Sequence, residues 1–286
     1  MITEMPSINV IILNWNGYED TMFSISSSLS QSYSNFHVTV IDNGSSDSSL
    51  DDLQKLQNDK LNLISSSENK GFAGGVNLGL KYSVEKKYDY CLLLNNDAIL
   101  LPGAISNFVQ FMQADDKLGI CGGCVLNMDD DRVQVNGGKK INFLSGRCNN
   151  SEFMPDFISG ALMFIRMKAA KNIGFLSEEY FMYWEDAEYS LRTLKKGWSI
   201  GVCESAIARH KAMASTENNI SNYDYHFVRS SVIFFAAFGP KHLWLVPPII
   251  VATKKYLKRL ARGEFKNLKA ISSAFKNGFQ DIKRKL

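Results

Sequence analysis

Strand-like and helix-like segments alternate along the first part of the chain, and this order constrains the fold more than any other feature. The strand-like segments are INVIILN (8–14), FHVTVIDN (36–43), LNLISSS (61–67) and YDYCLLLN (88–95). Helical spacing follows each of them, in YEDTMFSISSSLSQ, SDSSLDDLQKLQ, AGGVNLGLKYSVEK and PGAISNFVQFMQ. Four such units over about 115 residues predict an α/β fold, with a mostly parallel sheet and helices on both faces.

Polar side chains follow each predicted strand at the point where it ends. They are Asn14, Trp15 and Asn16, then Asp42 and Asn43, then Glu68, Asn69 and Lys70, and finally Asn95, Asn96 and Asp97. In open α/β sheets, ligands bind beyond the carboxyl ends of the strands. The sequence therefore predicts a binding cleft at this edge of the sheet.

The glycine-rich segment NKGFAGGVNLG does not have the pattern of a dinucleotide or ATP site. It lacks the G-x-G-x-x-G spacing and follows the third predicted strand rather than the first, and no G-x-x-x-x-G-K-[ST] occurs in the chain. The segment NWNGYED after the first strand is not the basic glycine-rich loop of a nucleotidyltransferase. These patterns argue against a Rossmann dehydrogenase, a P-loop ATPase and a nucleotidyltransferase.

Charge divides the chain into two parts. Residues 251–286 hold eleven Lys or Arg and two acids, a local charge of +9, whereas residues 1–250 have a net charge of −6. Apolar segments beyond residue 223 are broken by Gly239-Pro240 and Pro247-Pro248, so each is too short to span a bilayer of about 30 Å. We predict a larger domain at 1–222 and a basic amphipathic helical region at 223–286. This region would lie on an anionic membrane surface or form a homodimer contact.

The cysteines and the N-terminus favour a cytoplasmic protein. The five cysteines are an odd number, and the C-x-x-C of Cys121 and Cys124 lies in GICGGCVL, which has the pattern of a strand rather than of a zinc or redox site. The first apolar run is preceded by an acid, Glu4, and by no basic residue, and it is too short for a signal peptide or a membrane span. No nucleic-acid-binding module is recognisable in the basic tail.

Five motifs occur in a fixed order: VIILNWNG, VIDNGSSDSS, NKGFAGGVNLGL, LLLNNDAILLPG and GALMFIRMKAAKNIGFLSEEYFMYWEDAEYSLRTLKKGW, followed by His210. In this order they resemble the family 2 glycosyltransferases of GT-A fold, and most closely the rhamnosyltransferase-like branch of bacterial surface-polysaccharide synthesis. The resemblance covers about residues 8–212. It implies a Rossmann-like sheet that binds a nucleotide diphosphate sugar.

The resemblance implies roles for residues on the nucleotide side of the cleft. Trp15 has the position of an aromatic that stacks on the base, and Asp42 that of a carboxylate that accepts a hydrogen bond from it. Asp97 ends the D-x-D motif and would hold a divalent cation, Mn²⁺ or Mg²⁺, with His210 as a further ligand. The other nucleotide-binding candidates are Asn14, Asn69, Gly71, Asn95 and Asn96.

Further residues are implied on the side where the sugar is transferred. Asp186 has the position of the catalytic base, and Glu185 is a candidate support for it. Trp184 belongs to the aromatic segment YFMYWED, which is typical of the rim of a sugar pocket. The chemistry needs these residue types, because a hard cation on oxygen ligands aids the leaving diphosphate and a carboxylate takes the proton of the acceptor hydroxyl.

Structural alternatives exist for each of these residues. Asp97 could be a turn residue, Asp186 an acid favoured by the dipole at a helix start, and His210 a surface histidine in a loop. Trp15 could be a core aromatic. Two positions also depart from the family pattern, since Asn95 stands where the first Asp of D-x-D often stands and Gly71 where many relatives have arginine.

The resemblance implies an inverting, metal-dependent glycosyltransferase with a nucleotide diphosphate sugar as donor. The branch suggests dTDP-rhamnose first, and UDP-galactose or UDP-glucose are alternatives. The acceptor would be a saccharide, expected to be lipid-linked, and the enzyme would be peripheral on the inner face of the cell membrane in surface polysaccharide synthesis, such as that of O-antigen. Residues 127–156 are expected to contribute to the acceptor pocket. A non-catalytic nucleotide-sugar-binding scaffold is the alternative from another class.

Overall fold

The first half of the chain folds as predicted in the computed structural model, which describes residues 5–151, 153–211 and 220–284. Strands and helices alternate in the order β1 (Ile8–Asn14), α1 (Tyr18–Leu29), β2 (Phe36–Asp42), α2 (Ser49–Gln54), β3 (Leu61–Ser65), α3 (Gly71–Glu85), β4 (Tyr90–Asn95). A short strand that the sequence pattern did not predict, β5 (Ala98–Leu100), then precedes α4 (Ala104–Gln113). Helix α4 therefore begins after Gly103, not at Pro102.

The second half adds antiparallel strands and two helices. These elements are β6 (Leu118–Asn127), β7 (Val133–Asn136), β8 (Gly138–Asn142), β9 (Arg147–Asn150), β10 (Phe157–Ile158), β11 (Leu162–Arg166), α5 (Met167–Ile173), α6 (Glu185–Lys195) and β12 (Ser199–His210). The C-x-x-C segment lies on β6, as predicted.

One nine-stranded sheet contains most of these strands, in the order β3-β2-β1-β4-β11-β6-β12-β5, with β7 paired to β6. Strands β1 to β4 are parallel, whereas β11 runs antiparallel to β4 and β6. Strand β12 pairs antiparallel with β5, in a register that sets His210 opposite Ala98. The end of β12 is thereby brought to the polar residues that follow β4.

The core has two layers, one on each face of the sheet. Neighbouring residues of β1 point to opposite faces, as in any strand. Val10 packs with Ile25 of α1 and Phe108 of α4, whereas Ile11 packs with Leu80 of α3. The apolar run of β1 is thus buried on both sides, which confirms the prediction of helices on both faces.

Three C-terminal helices complete the structure: α7 (Ile220–Phe238), α8 (Val246–Ala261) and α9 (Phe265–Lys283). The boundary predicted between residues 222 and 223 falls inside α7. Phe234 and Phe235 of this helix are buried in one cluster with Ile141 and Phe157 of the small sheet β10-β8-β9. Within the described ranges, no helix is both long enough and apolar enough to cross a bilayer.

Candidate active site

The ends of β1 and β2 are joined by buried hydrogen bonds. Asn14 donates from Nδ2 to Asp42 Oδ2 (2.8 Å) and accepts at Oδ1 from the Thr21 hydroxyl (2.8 Å). Asp42 also accepts from the Ser45 hydroxyl (2.6 Å) and the Ser45 backbone N–H (3.1 Å). Asn14 and Asp42 are both fully buried. A nucleotide base could therefore reach the Asp42 carboxylate only if the turn at Ser45 moved aside.

Trp15 lies at the mouth of the cleft with 48% of its surface exposed. The next residue, Asn16, has a positive φ of 52° and accepts at Oδ1 from the Ser46 backbone N–H (2.7 Å). This hydrogen bond fixes the turn, so the indole lies outside the core and presents surface to a ligand. The alternative in which Trp15 is a core aromatic does not agree with this exposure.

Asn43 organises the loop before α3, although sequence reasoning did not select it as a site residue. Its Oδ1 accepts from the Lys70 N–H (3.1 Å), and its Nδ2 donates to Asn69 Oδ1 (3.1 Å) and to the Gly71 carbonyl (3.0 Å). The signal that could have found it is its place directly after Asp42 at a strand end.

Gly71 touches the segment before α6 instead of open solvent. Its φ is +72°, and a Cβ atom built there would lie 2.1 Å from the Phe181 carbonyl oxygen, which accepts from the Phe72 N–H at 2.7 Å. No side chain fits this position. The departure from arginine at Gly71 is therefore required by the close approach of the Phe181 backbone, and any contact with a nucleotide would come from the backbone.

Asp97 and His210 meet at the carboxyl ends of β4 and β12. His210 Nε2 lies 2.9 Å from Asp97 Oδ1 and 3.2 Å from Asn95 Nδ2, and the Asp97 and His210 side chains are 9% and 15% exposed. Asn96 lies on the other side, where its Nδ2 donates to the Thr21 hydroxyl (3.3 Å). The alternative in which His210 is a surface histidine in a loop does not hold, because His210 ends a strand and is mostly buried.

Gln134 of β7 sets the orientation of the His210 ring. Its Nε2 donates to the His210 backbone carbonyl (2.8 Å), so its Oε1 faces His210 Nδ1 at 3.0 Å. Because an amide oxygen only accepts, Nδ1 carries a proton, and in the neutral ring Nε2 is an acceptor that lies between Asn95 Nδ2 and Asp97 Oδ1. Sequence reasoning missed Gln134, since nothing in the irregular segment around it indicated β7.

In the neutral ring, His210 Nε2 and Asp97 Oδ1 are both acceptors and have the separation expected of two neighbouring ligands of one cation. Neighbouring ligands on an octahedral ion with bonds of about 2.1 Å lie about 3 Å apart, close to the Asp97–His210 distance. Among the described residues, no three or more His, Cys, Asp or Glu side chains converge on one point. A bound cation would therefore take its remaining ligands from phosphate oxygens and water.

Asp186 is the second residue of α6 and is half-buried. Its Oδ2 accepts from the Gly160 N–H (3.1 Å) and its Oδ1 from the Ala187 N–H (2.8 Å). Burial raises the pKa of Asp186, although these N–H groups and the charge of Lys139 act in the opposite direction. A carboxylate with a raised pKa is a stronger base than an exposed one.

Glu185 is more deeply buried than Asp186. It is 6% exposed, and its Oε2 has no hydrogen-bond partner within the part of the chain that the structure describes. Burial, and next the charge of Asp186, raise the pKa of Glu185 well above its usual range. Glu185 therefore lies behind its neighbour and leaves one carboxylate at the cleft.

Trp184 does not line the rim of a pocket in this structure. It is 5% exposed, with ring centroids 4.8 Å from Phe234 and 5.2 Å from Phe235 of α7. Tyr183 and Trp184 both have positive φ, at 68° and 71°, a backbone conformation that costs about 1–3 kcal/mol per residue. This turn directs the indole into the core at the start of α6, where it positions Glu185 and Asp186 rather than contacting a sugar.

A family model described as Glycosyl transferase family 2 matches residues 9–174, more than half of the chain. The chain belongs to glycosyltransferase family 2. The match covers the strand ends that hold Trp15, Asp42 and Asp97. As a family 2 glycosyltransferase the protein is an enzyme, and the prediction of its class is confirmed.

Three curated relatives are similar to this glycosyltransferase in sequence. The low-salt glycan biosynthesis hexosyltransferase Agl10 of Haloferax volcanii is 25% identical over 250 residues, covering 81% of this chain and 78% of the relative. The dTDP-rhamnosyl transferase RfbF of Shigella flexneri is 25% identical over 57% of this chain and 55% of the relative. The UDP-Glc:alpha-D-GlcNAc-diphosphoundecaprenol beta-1,3-glucosyltransferase WfaP of Escherichia coli is 29% identical over 39% of this chain and 43% of the relative. The chain thus spans about half or less of the last two.

The fold of this glycosyltransferase is also that of solved structures. A mannosyltransferase from Pyrobaculum calidifontis, in complex with GDP-Man and Mn²⁺, has a TM-score of 0.61 and 17% identity, covering 95% of this chain and 74% of the other. At this identity the likeness concerns the fold, and it confirms the predicted GT-A architecture.

Proposed function

We propose that this glycosyltransferase moves a sugar from a nucleotide diphosphate donor to a saccharide acceptor, with a divalent cation and with inversion at the anomeric carbon. The observation that carries the proposal is the meeting of Asp97 and His210. Gln134 fixes the imidazole so that a ring nitrogen and a carboxylate oxygen lie 2.9 Å apart at the carboxyl edge of the sheet. This is the edge at which ligands bind in open α/β sheets.

Asp97 and His210 would hold the cation, either Mn²⁺ or Mg²⁺. When bound, the ion neutralises charge that builds on the leaving diphosphate. Asn95 stands where the first Asp of D-x-D often stands, so the site has one fewer negative charge and leaves room for phosphate oxygens as ligands. The exposed indole of Trp15 would stack on the base, and the loop held by Asn43 would present its backbone to the nucleotide.

Asp186 would act as the general base. The acceptor hydroxyl gives its proton to the Asp186 carboxylate while its oxygen bonds to the anomeric carbon, and the bond from that carbon to the diphosphate oxygen breaks. A retaining double displacement needs a nucleophile in addition to the acid–base group. Glu185 is buried behind Asp186 and not free to serve as one, so the arrangement favours a single displacement with inversion.

The donor sugar that we propose first is L-rhamnose from dTDP-rhamnose. The RfbF relative, named as a dTDP-rhamnosyl transferase, supports it, as does the order of the motifs. UDP-glucose and UDP-galactose are the alternatives, and the name of the Escherichia coli relative supports UDP-glucose. A non-catalytic sugar-nucleotide scaffold is less well supported, because a protein without activity would be expected to lose Asp97 or Asp186, and both are present.

The acceptor that we propose is a lipid-linked saccharide in the synthesis of a cell-surface polysaccharide such as O-antigen. The same Escherichia coli relative is named for an acceptor sugar on diphosphoundecaprenol. An enzyme that uses such an acceptor works at a membrane surface, here the inner face of the cell membrane. The small sheet β10-β8-β9, next to Asp186, is the part of the structure that would receive the acceptor.

The test is a panel of nucleotide sugars assayed for hydrolysis or transfer, with Mn²⁺, with Mg²⁺ and with chelator, on the native chain and on Asp97→Ala. We expect turnover of one donor that requires the cation and is lost in Asp97→Ala. Turnover that survives both chelator and Asp97→Ala would contradict the metal-dependent mechanism. Binding of a donor without turnover, even with a lipid-linked acceptor present, would favour the scaffold.

A further inference from the structure

Helix α8 has a row of exposed apolar side chains along its outer face. Val246, Ile249, Leu257 and Leu260 are 38%, 48%, 57% and 45% exposed, and their spacing places them on one side of the helix. The opposite side is buried, with Val251 packed against α7. Helix α8 therefore has two apolar faces. The inner face packs on the rest of the protein, whereas the outer face is exposed.

Two further apolar side chains are exposed in neighbouring elements. Phe265, at the start of α9, is 64% exposed, and Leu144, in the turn between β8 and β9, is 57% exposed. The turn lies against the inner side of α8, since a Cβ atom on Gly146 would be 2.7 Å from Val251 Cγ2 and 3.4 Å from the Pro247 carbonyl. We refer to the four outward side chains of α8, Val246, Ile249, Leu257 and Leu260, as the apolar ridge.

Exposed basic side chains lie on the same helix and just beyond its end. Lys254, Lys258 and Arg262 are exposed at four-residue spacing and form a basic row. Lys254 is three residues from Leu257 and lies beside the ridge, whereas Lys258 and Arg262 lie farther round the helix, toward the side of Val251. The other two cations of α8 are directed inward, since Lys255 and Arg259 reach the buried carboxylate of Asp224 at 2.9 Å and 2.6 Å. The long side chains of the basic row can reach headgroups on either side of the ridge.

We propose that the apolar ridge and its basic row dock this enzyme on an anionic membrane surface, with α8 lying in the interface. Aliphatic side chains beside Lys and Arg suit the boundary between acyl chains and anionic headgroups. A second copy of the chain is a poorer occupant, because a two-fold contact through this face would bring together two C-terminal regions that each carry a charge of +9 over residues 251–286. A nucleic acid would use the cations but leave the aliphatic row exposed.

Docking in this way would hold the acceptor side of the cleft against the inner side of the membrane-bound helix α8. The β8–β9 hairpin touches α8 at its turn, and its sheet leads through β10 to Gly160, whose N–H donates to Asp186 at 3.1 Å. This consequence rests on the proposed function. The docking surface itself does not, because its binding to lipid can be measured without donor, acceptor or cation.

The experiment is co-sedimentation of the full chain with vesicles of phosphatidylcholine, with and without phosphatidylglycerol. We expect binding to the anionic vesicles that weakens with added salt, and little binding to the neutral ones. The variant Lys254→Gln/Lys258→Gln/Arg262→Gln should lower the partition coefficient about a hundredfold. The variant Ile249→Glu/Leu257→Glu/Leu260→Glu should abolish binding. Leu194→Glu is the matched control, because Leu194 is similarly exposed (41%) but lies on α6, and it should bind as the native chain does.

Light scattering and donor turnover on the same variants distinguish membrane docking from dimerisation and from sugar transfer. Equal binding to neutral and anionic vesicles, or native-like binding by the Ile249→Glu/Leu257→Glu/Leu260→Glu variant, would overturn the proposal. A native dimer that this variant dissociates, together with absent vesicle binding, would assign the ridge to a second copy. Vesicle binding in a chain that turns over no donor would leave the docking surface standing while the proposed function fails.

Discussion

The donor and acceptor sides of the cleft use the same side chain, a carboxylate, in opposite surroundings. Asp42 on the donor side is surrounded by hydrogen-bond donors from Asn14 and Ser45. Glu185 and Asp186 on the acceptor side lie at a helix start packed on aromatic residues, and burial raises both pKa values. The first environment fixes a carboxylate in place by hydrogen bonds, whereas burial in the second favours the protonated form and makes a carboxylate ready to take a proton. The same functional group thus has different roles on the two sides, and its surroundings in the fold decide which role it has.

Replacing Asp186 with Asn should have the largest effect, because it removes the base and keeps the shape. We expect kcat to fall about 10²–10⁴-fold while donor affinity is retained. In the native enzyme the base must be ionised, so the rate should fall as the pH drops through a pKa above the ordinary 3.8. Steady-state transfer over a range of pH and direct donor binding measure both effects.

Glu188→Gln is the matched control for Asp186→Asn. Glu188 lies on the same helix, but its carboxylate faces Arg192 at 2.8 Å, away from the cleft. The rate should therefore change little. If Asp186→Asn kept most of the native rate, Asp186 would not be the base, and the carboxylates on the two sides of the cleft would not differ in function.

Trp184→Ala should destabilise the fold by about 3–5 kcal/mol, the cost of removing a large buried aromatic side chain. The indole packs on Phe234 and Phe235, so the loss would loosen both α7 and the start of α6. Urea unfolding monitored by circular dichroism gives the change in the free energy of unfolding. A loss below about 1 kcal/mol, with weaker acceptor binding, would instead favour a sugar-rim role for Trp184.

Gln134→Ala should weaken Mn²⁺ binding about 10–100-fold, because the His210 ring would lose the partner that fixes its tautomer. Electron paramagnetic resonance of free Mn²⁺ measures the affinity without any assay of activity. Gln110→Ala, on the exposed side of α4, is the control and should bind Mn²⁺ as the native chain does. Unchanged affinity in Gln134→Ala would mean that the imidazole needs no such partner.

Local patterns predicted the strand ends well and the contacts between distant segments poorly, for a physical reason. Each of the strands β1, β2 and β4 is an apolar run followed directly by polar residues in the sequence. The alternation of strands with helices was therefore enough to predict these strands and the polar residues at their ends. The contact between Asp97 and His210 depends on β5, which has three residues and no pattern of its own. Trp184 was expected at a rim because its neighbours in sequence are polar and aromatic. Its burial is decided by Phe234 and Phe235, some fifty positions later, and no local pattern contains that information.

The smallest effect that we predict is that of Trp15→Ala, and it contrasts the two tryptophans directly. Trp15 is 48% exposed and Trp184 is 5% exposed, so the first substitution should leave the free energy of unfolding within about 0.5 kcal/mol of the native value. Stacking of a base on an aromatic side chain contributes about 1–3 kcal/mol, so donor affinity should fall roughly tenfold. Trp15→Phe keeps an aromatic face and should recover most of this loss, as measured by calorimetric titration with the nucleotide diphosphate. Equal affinity in all three proteins would show that the base binds elsewhere along the sheet edge, and the exposed indole would then have no part in donor recognition.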